Sequence, residues 1–201
     1  MILIHGLNLR IKMLILEKFI GKGATRICFE HPADSNKCIR VTVRYKEEYL
    51  LEQELKAYQR IKAFLDDYLV KYEDSLIDTK LGKGMVSELL RDDNNQYSKT
   101  LDQYVYNAQL KEKIVAQVID FAQRLLAHDI FFYDFNLENF IVQIKDGEPK
   151  LKYTDLKSFE KYKPWTYLKL EKVLKPLARH LMKRRMRKLF KYLDIDATKV
   201  F

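Results

Sequence analysis

Little in this 201-residue chain staples or punctuates it: it has two cysteines, four prolines, six glycines, one tryptophan and four histidines. Two cysteines exclude a disulfide-dense scaffold. Cys28 and Cys38 both fall in apolar runs that read as strands. They are expected to be buried thiols of a cytoplasmic protein, with a lone disulfide between facing strands as the alternative. His5, His31, His128 and His180 are scattered, without metal-ligand spacing, and read as structural. So little Gly and Pro excludes a fibrous or low-complexity chain. No stretch approaches the roughly 20 uncharged apolar residues of a membrane span. Even the apolar N-terminus, MILIHGLNLRIKMLILEKF, is interrupted by Arg10, Lys12, Glu17 and Lys18. It lacks the continuous apolar core and small-residue cleavage site of a signal peptide, and Met13 is an alternative start for the folded part.

What is present is an ordinary globular composition, 47% hydrophobic and 32% charged, long enough for one domain or two small lobes sharing a cleft. The net charge of +9 is unevenly placed. Residues 161–191 hold twelve Lys or Arg against a single acid, Glu171, so the rest of the chain is slightly acidic. Nothing in that basic segment supplies the aromatic platform or recognition motif of a nucleic-acid binder.

The first ninety residues predict β-β-β-α-β-β. Two short apolar runs flank Gly21-Lys22-Gly23 as a hairpin. His31 to Asn36 reads as a turn-rich link, and Cys38 to Val43 as a third strand. Glu47 to Leu65 carries Leu50, Leu51, Leu55, Tyr58, Ile61 and Leu65 at helical spacing. Tyr68 to Ile77 and Met85 to Leu90 read as strands around a turn at 78–84. Beyond a polar loop (91–99), Ser98 or Thr100 is expected to cap a short helix to about Tyr106. Lys111 to His128 is the strongest helix. Asp146-Gly147 marks a hairpin turn, followed by a short strand over Leu151–Thr154. Pro164 to Leu193 is helical and basic, and is expected to break around Pro176. Leu181, Met182, Met186, Leu189, Phe190 and Leu193 form its apolar stripe, and Trp165 is a packing anchor.

The chemistry-bearing residues stand in YDFNLENF. Asp134 and Asn139 lie five apart in a polar loop between apolar segments, and Asp155 follows 21 residues later after a hairpin. Phosphoryl transfer from a nucleotide needs such a set. A carboxylate and an amide oxygen hold Mg²⁺, a hard ion preferring oxygen ligands, while a second carboxylate orients the attacking hydroxyl.

In order and spacing these segments resemble the protein-kinase-like superfamily. Leu125 to Val142 is similar to the catalytic loop, and LKYTDLKSF to the metal-binding strand end, with Lys157 in place of the usual glycine. IGKGATR resembles a degenerate Gly-rich loop with Gly21 and Gly23, where Arg26 stands for the third glycine. KCIRV resembles the phosphate-contacting strand with Arg40 at the lysine position, which makes Glu54 its expected partner. MVSELL resembles the hinge, with Glu88, Leu89 and Leu90 lining an adenine pocket. There are departures. Phe132-Tyr133 replace His-Arg before Asp134, Asn136 replaces the following lysine, and no A-P-E signature follows Asp155.

More narrowly, the chain resembles the YrbL-type family of PhoP regulatory network proteins. The features are R-x-C-x-x-H-P (Arg26, Cys28, His31, Pro32), N-K-C-I-R (Asn36 to Arg40), E-L-K-x-Y (Glu54 to Tyr58), G-x-G-M-V (Gly82 to Val86) and S-K-T-L (Ser98 to Leu101). The resemblance implies an α+β, kinase-like two-lobe fold: a small antiparallel-sheet lobe over 14–90 and a short, mostly helical lobe over 91–201, in one domain. It implies an ATP- and Mg²⁺-dependent phosphotransferase with Asp134, Asn139 and Asp155 as catalytic residues. Asn139 and Asp155 would hold the metal, and Gly21, Gly23, Arg40, Glu54, Glu88 and Leu90 the nucleotide. The phosphoacceptor (protein, sugar or lipid-linked) stays open, as do the alternatives of a catalytically weak pseudokinase serving as a nucleotide-binding regulatory module and of a sugar or lipopolysaccharide kinase. The basic segment 161–191 is expected either to dock as a helix with a solvated basic face or to meet an anionic partner, such as the inner-membrane surface.

Overall fold

A computed structural model describes residues 13–23, 25–43, 48–159 and 171–201, at 171–174 the backbone only. The protein is α+β. Strands β1 (Phe19–Lys22), β2 (Arg26–His31), β3 (Asp34–Thr42), β4 (Tyr72–Thr79) and β5 (Gly82–Glu88) form one antiparallel sheet in the order β1-β2-β3-β5-β4. Helix α1 (Tyr49–Leu65) enters between β3 and β4. A second sheet follows, with the order β6 (Lys99–Thr100), β7 (Phe140–Lys145), β8 (Glu148–Tyr153), and helix α2 (Ala108–Ala127) is inserted between β6 and β7. Helix α3 (Glu171–Tyr192) follows, ahead of a 3₁₀ turn at Ala197–Lys199.

Strand period decides which residues face where. Successive side chains alternate, so Ile27, Phe29, Ile39, Val41, Ile77 and Val86 share one face of the large sheet, which Leu14 and Leu16 cover. Arg26, Cys28, Cys38 and Arg40 take the opposite face, where Cys28 stands opposite Arg40 in the register. Both thiols are free. The larger core gathers Leu51, Leu55, Tyr58, Ile61 and Leu65 of α1 with Ile114, Val118, Phe121 and Leu125 of α2 and the buried strands β7 and β8. At its centre Phe121 meets Phe140 edge-on at 5.7 Å, and Tyr153 lies 5.0 Å from Phe140. That aromatic block sits directly beneath Asp134, through Phe132 and Phe135.

Several boundaries differ from the sequence reading. The link after β2 shrinks to Pro32-Ala33, because His31 Nδ1 accepts from Ala33 N (3.2 Å) and closes the turn at once. The 78–84 turn is two residues, Lys80-Leu81, because Thr79 Oγ1 bonds both Leu81 N and Gly82 O. Asp146 and Gly147 both adopt positive φ, the requirement of a tight hairpin turn. The helix expected to be capped by Ser98 or Thr100 is absent. Lys99–Thr100 pairs with β7 instead, and Leu101–Gln103 makes one 3₁₀ turn. Helix α2 begins earlier, because Asn107 Oδ1 accepts from Gln109 N and Leu110 N. Pro176 does not break α3; it lies in the second turn, where it removes one backbone bond near the helix start. Trp165 lies outside the described residues.

Candidate active site

The chain crosses from α2 to β7 through Ile130–Tyr133, four buried apolar residues that fix the loop in the core. Asp134 then emerges. Its Oδ1 accepts from Asn136 N at 3.2 Å, an Asx turn that points the following Leu137–Asn139 3₁₀ turn back toward the sheet. Asn139 Nδ2 donates to Asp134 O (3.4 Å), so Asn139 is tied to Asp134 across the turn. The Asn139 carbonyl accepts from both the amide and the hydroxyl of Thr154, at 2.9 and 3.2 Å. Thr154 immediately precedes Asp155. Tyr153 Oη reaches the other way, donating to Asp134 O at 2.7 Å and lying 3.0 Å from Ser158 Oγ, which bonds Asp155 O. Residues distant in sequence thus meet at the base of one hairpin, held mainly through the backbone carbonyls of residues 134, 139 and 155.

Asp155 is almost fully buried, 5% exposed, and its Oδ2 has no hydrogen-bond partner among the described residues. Lys157 Nζ approaches Oδ1 only to 3.6 Å. Burial pushes the Asp155 carboxyl up to about 6, with Lys157 opposing and the charges of Glu54 and Asp134 adding to the rise. A proton that Asp155 holds more tightly folded than unfolded makes stability fall as pH climbs between the ordinary 3.8 and about 6. That displacement costs roughly 3 kcal/mol above the window. Asp155→Asn in EDTA is therefore expected to raise the urea midpoint at pH 8, with the gain vanishing by pH 4. Equal gains at both pH values would show that the buried charge is not the cause.

Opposite Asp155 stands an ion pair that the sequence reading did not identify. Glu54 has zero exposure on the buried face of α1, yet its partner is Arg26 of β2, with Nη1 2.5 Å from Oε2. The expected Arg40–Glu54 contact is not formed. Arg40 donates to Tyr72 Oη (2.7 Å), Ser87 Oγ (3.3 Å) and Thr154 O (3.4 Å), and stacks over the Tyr72 ring. Both arginines occupy one face of the sheet, and β-strand alternation alone cannot choose between them. Arg26 Nε and Nη2 are buried and make no hydrogen bond among the described residues.

The expected nucleotide contacts divide. Gly21 lies in β1 with ordinary φ, and a Cβ there would meet nothing within 4 Å; Gly23 closes the hairpin through its N–H to Arg26 O. At 82–90 the polar groups are largely engaged. Glu88 Oε1 accepts from Lys71 N, Leu89 N donates to Asn36 O, and Leu90 O accepts from Ser98 N. Leu90 itself is in the core.

The basic helix docks. Ala178, Met182, Met186, Leu189, Phe190 and Leu193 are buried against the core. Leu181, expected in that stripe, is instead 37% exposed and lines a cleft of about 690 Å³ shared with Asp134, Asp155 and Lys157. Its companions there are Arg184, Arg185 and Lys188, spaced three, four and seven residues on, which is one helix face. Arg185 Nη1 donates to Tyr133 O at 2.6 Å, tying α3 to the Asp134 loop. Among the described residues no three His, Cys, Asp or Glu are grouped to hold a metal ion unaided, and no helix is long and apolar enough to cross a membrane.

Comparison with known proteins gives a family match over residues 13–194, described as PhoP regulatory network protein YrbL. The chain is 26% identical over 99 residues to "Uncharacterized protein YrbL" of Escherichia coli (strain K12), and equally to the protein of that name from Shigella flexneri. Each alignment spans 47% of this chain and 47% of the relative, so the chain covers about half the length of the curated relatives it matches.

Proposed function

The chain belongs to the YrbL family of PhoP regulatory network proteins, and on that premise we propose that it is an ATP- and Mg²⁺-dependent phosphotransferase of the protein-kinase-like superfamily. In this reading residues 14–90 form the smaller lobe and 91–201 the larger, with the nucleotide between them. One observation carries it: Asp134, Asn139 and Asp155 converge at the base of the β7–β8 hairpin, with Asp155 Oδ2 buried and without a partner among the described residues. A buried carboxylate oxygen without a partner costs free energy in the isolated chain, and a cation would satisfy it.

The residues fit a magnesium site. Asp155 offers an orphaned carboxylate oxygen, and Asn139, whose NH₂ is turned to Asp134 O, offers an amide oxygen. Sites of one or two such ligands lean on substrate phosphates and water for the rest of the shell. When bound, the ion supplies charge neutralisation on the transferring phosphoryl group. Asp134 orients the acceptor hydroxyl and takes its proton. Arg26, braced by Glu54, takes in this reading the phosphate-contacting role that the sequence pattern gives to Arg40, whose guanidinium is engaged with Tyr72, Ser87 and the Thr154 carbonyl. The open space beside Gly21 suits a close approach of phosphate to the backbone. A cytoplasmic location goes with this reading, because that is where the nucleotide is.

A second reading, a regulatory module that binds nucleotide and transfers nothing, is favoured by the engagement of Arg40, Leu89 N and Leu90 O inside the protein. Thermal melting with ATP, in Mg²⁺ or EDTA, tests nucleotide binding. At a hundred times the dissociation constant, ligand stabilises by about 2.7 kcal/mol. The expected shift requires Mg²⁺ and disappears in Asp155→Ala. No shift, or one untouched by that substitution, overturns the site assignment. Label transfer from γ-labelled ATP then separates enzyme from module.

A further inference from the structure

The phosphotransferase reading leaves the acceptor unidentified, and the cleft beside α3 carries information about it. Four cations, Lys157, Arg184, Arg185 and Lys188, face two carboxylates, Asp134 and Asp155, across about 690 Å³. Arg185 is engaged with the Tyr133 carbonyl, and Lys157 lies near Asp155. Arg184 and Lys188 are different: they are exposed and make no hydrogen bond or ion pair among the described residues. Two like charges at i and i+4 on a helix repel each other. Here they sit on the face that looks at the candidate base, while other basic residues of α3, such as Arg187, point elsewhere.

Resting on that reading, we propose that this cleft is the acceptor site and that the acceptor is a small alcohol already bearing a phosphate group. Arg184 and Lys188 bind the phosphate, which sets a hydroxyl of the same molecule at Asp134. The cleft's volume lies within the range of small-molecule pockets. It is concave and mostly polar, with Leu181 as its one exposed aliphatic wall, so it suits a compact polar ligand. Arginine and lysine together give charge-assisted hydrogen bonds to phosphate oxygens. In the transfer step the hydroxyl oxygen bonds to the γ-phosphorus of ATP, the bond from that phosphorus to the β–γ bridging oxygen breaks, ADP departs, and the hydroxyl proton passes to the Asp134 carboxylate. A soluble phosphorylated polyol and a phosphorylated lipid headgroup present the same chemistry, and the test separates them.

The full chain is melted and titrated with inorganic phosphate, glucose 6-phosphate and glucose. The expected result is binding of both phosphates and not of glucose. Arg184→Ala with Lys188→Ala weakens both phosphates by about tenfold or more, as loss of charge-assisted contacts requires, and leaves the Mg²⁺–ATP response intact. Arg187→Ala, on the same helix outside the cleft, changes neither. Co-sedimentation with phosphatidylcholine vesicles containing phosphatidic acid, lost in the double variant, assigns the headgroup; phosphate binding without vesicle binding assigns the soluble source. No response to either phosphate, or a response that Arg187→Ala reduces as much as the double variant, overturns the proposal. A missing Mg²⁺–ATP response instead overturns the phosphotransferase reading, and the acceptor role falls with it even where phosphate still binds.

Discussion

Asp134→Asn is expected to lower phosphoryl-transfer turnover by about 10²–10⁴, the contribution of a positioned general base, while leaving melting temperature and Mg²⁺–ATP stabilisation unchanged. The choice of asparagine matters. Asp134 Oδ1 closes the Asx turn through Asn136 N, and an amide oxygen serves that bond equally. The carbonyl of residue 134, which receives Tyr153 Oη and Asn139 Nδ2, is untouched. What disappears is the proton acceptor on the cleft wall. Turnover is followed as label released from γ-labelled ATP to acceptor or water. A variant as fast as the parent removes Asp134 from the chemistry. A variant that also loses its nucleotide response shows that the loop has rearranged.

Arg26→Ala is expected to destabilise the fold by about 3–5 kcal/mol, because it leaves the Glu54 carboxylate at zero exposure without its partner. For a chain of this size each kcal/mol moves the melting temperature by roughly 2–4 °C, so the loss is visible in any melt. Removing both charges is a different experiment. Arg26→Met with Glu54→Leu replaces the pair by apolar groups of similar bulk, and buried pairs so replaced are often neutral or stabilised. Urea unfolding with unchanged m-value measures both. If the double variant is stable but no longer responds to Mg²⁺–ATP, the pair serves the site rather than the fold. If Arg26→Ala costs under about 1 kcal/mol, the buried pair has been misjudged.

The alternation of apolar residues made the five-stranded sheet, α1 and α2 legible, because period 2 and period 3.6 are set by burial on one face. The loop holding Asp134 and Asn139 was legible for the same reason: polar residues between two buried runs mark where the chain must surface. The partner of Glu54 was not. Arg26 and Arg40 stand on the same sheet face, and only the register with α1 places Arg26 against the helix. A charged residue in a glycine-like position was the available signal. Nor did the sequence reveal the task of Asp92 and Asp93, which resembled loop filler. Asp92 Oδ1 accepts from Ile144 N and Ser98 Oγ, and Asp93 accepts from Asp146 N and Gly147 N, so together they clamp the β7–β8 hairpin. Those two backbone amides hold the Asp93 carboxyl below its ordinary range. The contacts to the hairpin cross more than fifty residues of chain and have no local pattern. Leu181 failed through helix geometry: one step of about 100° from Met182 carries it off the docked stripe and onto the basic face.

Helix α3 anchors itself with Met182 and Met186, whose side chains are wholly shielded, and the same helix presents Arg184 and Lys188 beside Asp134. A thioether is oxidised to sulfoxide only where peroxide can touch the sulfur, and the product is too polar to return to an apolar seat. Oxidation of these two sulfurs therefore requires the helix to lift away, and a sulfoxide at either position would oppose the docking that holds Arg184 and Lys188 beside Asp134 until a reductase restores the thioether.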